Sequence, residues 1–203
     1  MKRYFIFPAV IIIFFSGIIS AQEYNSGNKS KHSIGFIIGF GEQPKVNNYE
    51  YQIALFQAQY YYSFLQHHIL NVQLIVQPQY NLVQPNYDQN TPETNEPLTT
   101  HNKNAFEFGV NAGILIRLNL LNNFFSLYTY VSSGPHYVSQ PPQRQADGFI
   151  FSDNFFAGIN IKLYKNYYFD FRSGFRHVSN AGLAHPNGGV NTVVYNWGVY
   201  VKL

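Results

Sequence analysis

AFEFGVNAGILIRL, residues 105–118, decides the fold. Its even positions, Phe106, Phe108, Val110, Ala112, Ile114, Ile116 and Leu118, are apolar, while the odd ones include Glu107, Asn111 and Arg117. Successive side chains of an extended strand leave on opposite faces, so this stretch makes a strand with one greasy and one polar side. The same period runs through ALFQAQYYYSF, residues 54–64, where Ala54, Phe56, Ala58, Tyr60, Tyr62 and Phe64 oppose Gln57, Gln59 and Ser63. LNVQLIVQPQY, residues 70–80, sets Leu70, Val72, Leu74 and Val76 against Asn71, Gln73 and Gln77. At the end of the chain Val193, Tyr195, Trp197, Val199, Val201 and Leu203 share one face.

Eight such runs are expected, near residues 33–40, 53–65, 68–80, 105–118, 124–131, 149–163, 166–179 and 192–203. Charged residues make up only 11% of the chain and aromatics 18%, with 17 Tyr and 19 Phe. An average soluble domain carries roughly 25% charged residues. Mean hydropathy is nevertheless only −0.17, and after residue 19 no run approaches the ~18 apolar residues of a membrane helix. These features fit an all-β fold, an eight-stranded antiparallel transmembrane β-barrel whose strands alternate lipid-facing and lumen-facing side chains. The connections agree, alternating long and short: 41–52, 66–67, 82–104, 119–123, 132–148, 164–165 and 180–191. Outer-membrane barrels have short periplasmic turns and long extracellular loops, so the long connections are expected outside.

Lys2 and Arg3, the apolar run 4–19 and Ser20-Ala21 read as a secretory signal peptide cut after Ala21, leaving residues 22–203 as a single barrel domain. With Lys2 and Arg3 gone, 11 basic residues face 10 acidic ones, a balance that gives no reason to expect a nucleic-acid partner. The chain has no Cys, so no disulfide holds the fold.

NYYFDFRSGFRHVSN, residues 166–180, carries the candidate chemistry. Its odd positions are Tyr167, Phe169, Phe171, Ser173, Phe175, His177 and Ser179; the even ones include Asp170, Arg172 and Arg176. Arg and Asp are costly against lipid, so the odd side is the outer wall. His177 and Ser179 then sit at the end next to a long loop, level with the head groups of the outer leaflet. Residues i and i+2 share a face, and an imidazole there can take a proton from a neighbouring hydroxyl. The pair by itself fits interfacial decoration as well.

His177-Val178-Ser179-Asn180-Ala181-Gly182, followed by Pro186-Asn187-Gly188-Gly189 and a last strand, resembles the signature of the lipid A 3-O-deacylases. These are small outer-membrane barrels that hydrolyse the ester-linked acyl chain at the 3-position of lipid A. The resemblance implies a lipid A or lipopolysaccharide substrate in the outer-membrane lipid, with His177 as base and Ser179 as nucleophile. It further implies an oxyanion hole from N–H groups near Asn180, Asn187 and Gly188, and no metal or other cofactor. It completes the triad with an acidic residue before the last strand, where this chain has Asn191. An amide can orient an imidazole but brings no charge; in a serine protease the acid-to-amide change lowers kcat about 10⁴-fold.

Asp153 is the candidate replacement. In FIFSDNFFAGINIKL, residues 149–163, it shares a face with Phe149, Phe151, Phe155, Ala157, Ile159 and Ile161. A tight turn at Lys165 makes paired residue numbers sum to about 330, which sets Asp153 opposite His177. Counting the same way across the final loop sets Asn191 beside Ser179. Asp153 either supplies the charge that Asn191 lacks, or it only caps the outer rim or binds a cation or lipid group. The alternative for the whole chain is a non-catalytic barrel with a structural, adhesive or lipid-contact role. The other histidines, His67-His68 among them, lack metal-ligand spacing.

Overall fold

The computed structural model describes residues 30–44, 49–67, 69–87, 105–139, 146 and 148–203. The expected signal peptide, residues 1–21, lies outside them. Eight strands follow one another: β1 (His32–Glu42), β2 (Tyr49–His67), β3 (Leu70–Tyr87), β4 (Ala105–Leu120), β5 (Phe125–Val138), β6 (Gly148–Tyr164), β7 (Tyr167–Ser179) and β8 (Val190–Lys202). Each pairs antiparallel with the next, and β8 pairs back onto β1, so the sheet closes into a barrel. A single 3-10 turn, Leu121–Asn123, is the only helical element among the described residues.

Closure leaves no unpaired edge, which is what a sheet needs where no water can satisfy backbone groups. The alternation then sorts the side chains. Outward residues are apolar and exposed, as at Phe155 (53%) and Phe175 (64%). Inward residues are buried and mix apolar side chains such as Ile75, Leu115 and Phe156 with polar and charged ones: Glu107, Arg117, Asp170, Arg172 and Arg176 are all at most 1% exposed. Their charges find partners in the lumen. The Arg117 guanidinium lies 5.0 Å from the Tyr200 ring centroid, 5.6 Å from Tyr128 and 5.8 Å from Tyr61. Asp170 accepts hydrogen bonds from Tyr128 at 2.8 Å and Asn160 at 2.6 Å, with Arg172 Nε 3.9 Å away. Such compensation matters because an isolated buried charge costs far more than a buried apolar group gains.

Three strands are longer than expected. β2 starts at Tyr49 rather than near residue 53, β3 continues to Tyr87, and β5 runs on through Pro135 to Val138. Ser132-Ser133-Gly134-Pro135 has the composition of a turn, but the β6 side carries the chain through it. Gly134 pairs with Ser152 and Pro135 with Phe151, while neither has a partner on β4. A proline is tolerated in a sheet where one side of the ladder is given up. This extension keeps Ser133 and His136 inside the barrel wall instead of in a loop, and both bear on the site.

Candidate active site

Cross-strand register builds the site. Ser133 of β5 pairs with Asp153 of β6, Asp153 with His177 of β7, and His177 with Asn191 of β8. All four lie on the outward face of their strands, so a polar row crosses four strands of an otherwise greasy wall. Directly opposed residues in an antiparallel pair have Cβ atoms about 4.5–5.5 Å apart. Ser179 stands two residues beyond His177 on the same face, opposite Phe151.

The Asp153–His177 pairing is the one the tight turn implies. Asn191 departs from expectation: it stands opposite His177, not beside Ser179. The two-residue turn at Lys165-Asn166 pairs Tyr164 with Tyr167, and an irregularity at Leu163 then shifts the ladder by one residue into the Asp153–His177 register, whereas the longer segment 180–189 leaves β8 free to slide by an even step. An even step keeps every side chain on its own face.

The result is a direct contact. His177 Nδ1 lies 2.7 Å from Asn191 Oδ1. An amide oxygen only accepts, so Nδ1 carries the proton and the neutral ring leaves Nε2 as a base. Among the described residues the Ser179 hydroxyl makes no hydrogen bond, to His177 or to any other group; the two share a face of β7 but are not joined. At the other end of the row Ser133 Oγ donates to Asp153 Oδ1 at 2.5 Å. No hydrogen bond joins Asp153 to His177; the row is bonded at both ends and open in the middle.

The segment between β7 and β8 closes over the imidazole. Gly189 has a φ of +62°, and a Cβ there would come within 3.0 Å of His177 Cε1. Buried Asn180 organises the rest. Its backbone N–H donates to Asn187 Oδ1 at 3.1 Å, its Nδ2 to the Ala184 carbonyl at 2.7 Å, and its Oδ1 accepts the Gly182 N–H at 3.0 Å. Ala181 and Gly182 adopt the left-handed φ values, 53° and 79°, that this turn requires. With its oxygen engaged, Asn187 keeps an NH₂ group that has no partner among the described residues. Exposed Gly188 follows it, ahead of the Gly189 contact. The Ala146 N–H donates to the Pro186 carbonyl at 2.8 Å, tying in the connection between β5 and β6.

Ser133 and Gly189 are the site residues that sequence reasoning missed. Counting outward parity on from Val131 would have found Ser133. Among the described residues no group of three or more His, Cys, Asp or Glu is gathered closely enough to hold a metal ion.

The family model for lipid A 3-O-deacylase (PagL) matches residues 56–200, a span that takes in β3 to β7 entire and the whole polar row. The chain belongs to the lipid A 3-O-deacylase (PagL) family. Neisserial surface protein A shares the fold at 13% identity, with a TM-score of 0.51 over 86% of this chain and 98% of its own. The outer-membrane protein OprG of Pseudomonas aeruginosa is similar at 10% identity and TM-score 0.42, over 87% of this chain and 98% of its own. The attachment invasion locus protein Ail of Yersinia pestis, in complex with a heparin analogue, is similar at 14% and 0.44, over 86% and 97%. No curated protein sequence matches the chain. Family and architecture together make this a bacterial outer-membrane β-barrel.

Gly189 offers a test of the site's geometry. A methyl group there meets the imidazole edge, and a non-glycine residue at that φ costs about 1–2 kcal/mol. Gly189→Ala is therefore expected to give a folded barrel with a displaced imidazole, read as shifted His177 ring signals in the NMR spectrum. A folded variant with His177 signals like the parent's would show that the loop does not confine the ring.

Proposed function

We propose that the protein is a serine esterase that removes the 3-O-linked acyl chain of lipid A. The observation that supports this most is the 2.7 Å contact between His177 Nδ1 and Asn191, which leaves Nε2 to act on the same-face Ser179. His177 Nε2 takes the Ser179 proton as Oγ attacks the ester carbonyl carbon. The tetrahedral oxyanion is held by N–H groups at Asn187 and Gly188, with Asn180 shaping the loop that presents them. Collapse breaks the bond to the sugar oxygen, which leaves as the 3-hydroxyl with the proton returned by His177. Water, activated by the same imidazole, then hydrolyses the acyl-Ser179 ester and releases the fatty acid.

Asn191 and Asp153 divide the work of the usual acid. Asn191 fixes the tautomer. Asp153, opposite the ring and held by Ser133, supplies negative charge to the imidazolium that forms during attack. A carboxylate at a cross-strand distance attracts the imidazolium without a direct hydrogen bond, with the moderate strength of a charge pair near a protein surface. Residues 1–21 act as the cleaved leader, and the barrel end at which β3, β5 and β7 finish faces outward from the cell, which puts the site at the extracellular leaflet. Protease added to intact cells should cut within 88–104 or 139–147; cuts at the short turns after His67 or Tyr164 would reverse that orientation.

Mass spectrometry of lipid A from cells expressing the protein and its Ser179→Ala variant tests the activity. Loss of one 3-O-hydroxyacyl mass only with the intact serine is the expected result. Identical spectra from both would leave the non-catalytic barrel as the better reading. Asp153→Asn retains the Asn191-held tautomer and loses only the charge, so a fall on the order of 10²-fold is expected, less than the ~10⁴ seen when tautomer and charge go together. An unchanged rate in that variant would reduce Asp153 to a rim residue.

A further inference from the structure

β7 carries His177 and Ser179 on its outer face and Asp170, Arg172 and Arg176 on its inner face. Each of these buried side chains reaches a strand that is not a neighbour. Asp170 binds Tyr128 of β5, Arg172 donates to Gln57 Oε1 of β2 at 2.9 Å, and Arg176 pairs with Glu107 of β4 across the lumen. No mechanism step uses any of them. Arg176 matters most because it is the residue immediately before His177.

Its partner is itself fixed. Glu107 Oε1 receives Arg176 Nη2, His136 Nδ1 and, at 3.1 Å, Asn81 Nδ2. His136 Nε2 is 3.1 Å from Asn111 Oδ1 and 3.1 Å from Gln79 Nε2. The ring lies against Gly109, where a Cβ would fall 2.3 Å from His136 Cδ2, so the missing side chain makes its seat. Glu107 is thus anchored from β3, β4 and β5 and holds β7 from the far side of the barrel.

We infer that the Arg176–Glu107–His136 cluster is a positioning device for His177, one that sets the pitch of the imidazole from inside the wall. Consecutive residues of a strand leave the same backbone on opposite faces, so a fixed inward vector at 176 fixes the outward vector at 177. A buried ion pair adds little net stability compared with apolar side chains of the same size. Geometry is the better account of why a chain with so few charges places them here. Misplacement of a reacting group by about 1 Å can cost 10²-fold in rate.

The kinetic part of this inference rests on the proposed esterase; the structural part does not, and the test separates them. Imidazole signals of His177 would be recorded by NMR on the ¹⁵N-histidine-labelled barrel in lipid nanodiscs, assigned with His177→Ala. The intact protein should give one sharp set. Arg176→Met and Gly109→Ala should broaden or split it, and Arg176→Lys, which keeps the charge, should restore a single set. On lipid A, kcat of Arg176→Met should fall roughly 10²-fold with KM changed less than about twofold, because the outer wall is untouched. If Arg176→Met does not fold, Glu107→Gln and Gly109→Ala read the same effect. An unaltered His177 signal in a folded variant that has lost the pair overturns the inference, whether or not the protein deacylates lipid A. An inactive parent with the expected His177 changes overturns the esterase alone.

Discussion

A charge at membrane depth has one affordable place in this fold, the lumen, and every other assignment depends on it. Facing lipid, an arginine near the bilayer midplane costs about 2–4 kcal/mol. Arg117, Arg172 and Arg176 are therefore turned inward, and the period of two turns each of their neighbours outward. A slip by one residue would expose the arginines and bury Phe171 and Phe175. His177, Ser179, Asp153 and Asn191 are on the outer wall for the same reason. They are tolerated there because they gather at the loop end and because three of them, His177, Asn191 and Asp153, are hydrogen-bonded to neighbours in the row.

A site built on a wall differs from one built in a cleft. In the proposed mechanism no pocket has to form, since the membrane presents the substrate and the adjacent loop presents the polar groups. What the protein must supply is alignment, and the antiparallel ladder supplies it. Ser133, Asp153, His177 and Asn191 come from four strands yet form one line because each is the registered partner of the next. In the proposed mechanism this alignment lets an amide and a carboxylate on opposite sides of the imidazole share what a single acid usually does. The loop adds the second layer: Asn180 folds residues 180–189 back on themselves, and Gly189 rests on the ring.

Much of this was legible in the sequence because it follows from parity and from one tight turn. The outward faces of β2, β3, β4, β7 and β8 follow directly from alternation, and the Asp153–His177 pairing follows from the turn at Lys165 to within one residue, the irregularity at Leu163 making up the difference. Two things were not legible, each for a physical reason. The segment between β7 and β8 is too long for its length to set register, so the position of Asn191 required the ladder itself. Ser-Ser-Gly-Pro at residues 132–135 carries turn chemistry, and only pairing with β6 on one side keeps it in a strand. That hid Ser133, the partner of Asp153, and His136, the seat of the luminal tie.

In the proposed mechanism His177 and Ser179 form a working base–nucleophile pair on the lipid-facing wall. A long-chain fluorophosphonate delivered in vesicles reads it directly, because it reacts only with an activated serine. Intact-protein and peptide mass spectrometry should find a single adduct, on Ser179, that disappears in His177→Ala while the barrel stays folded. Absence of any adduct on the folded parent, or modification at Ser179 that persists without the imidazole, would contradict the account.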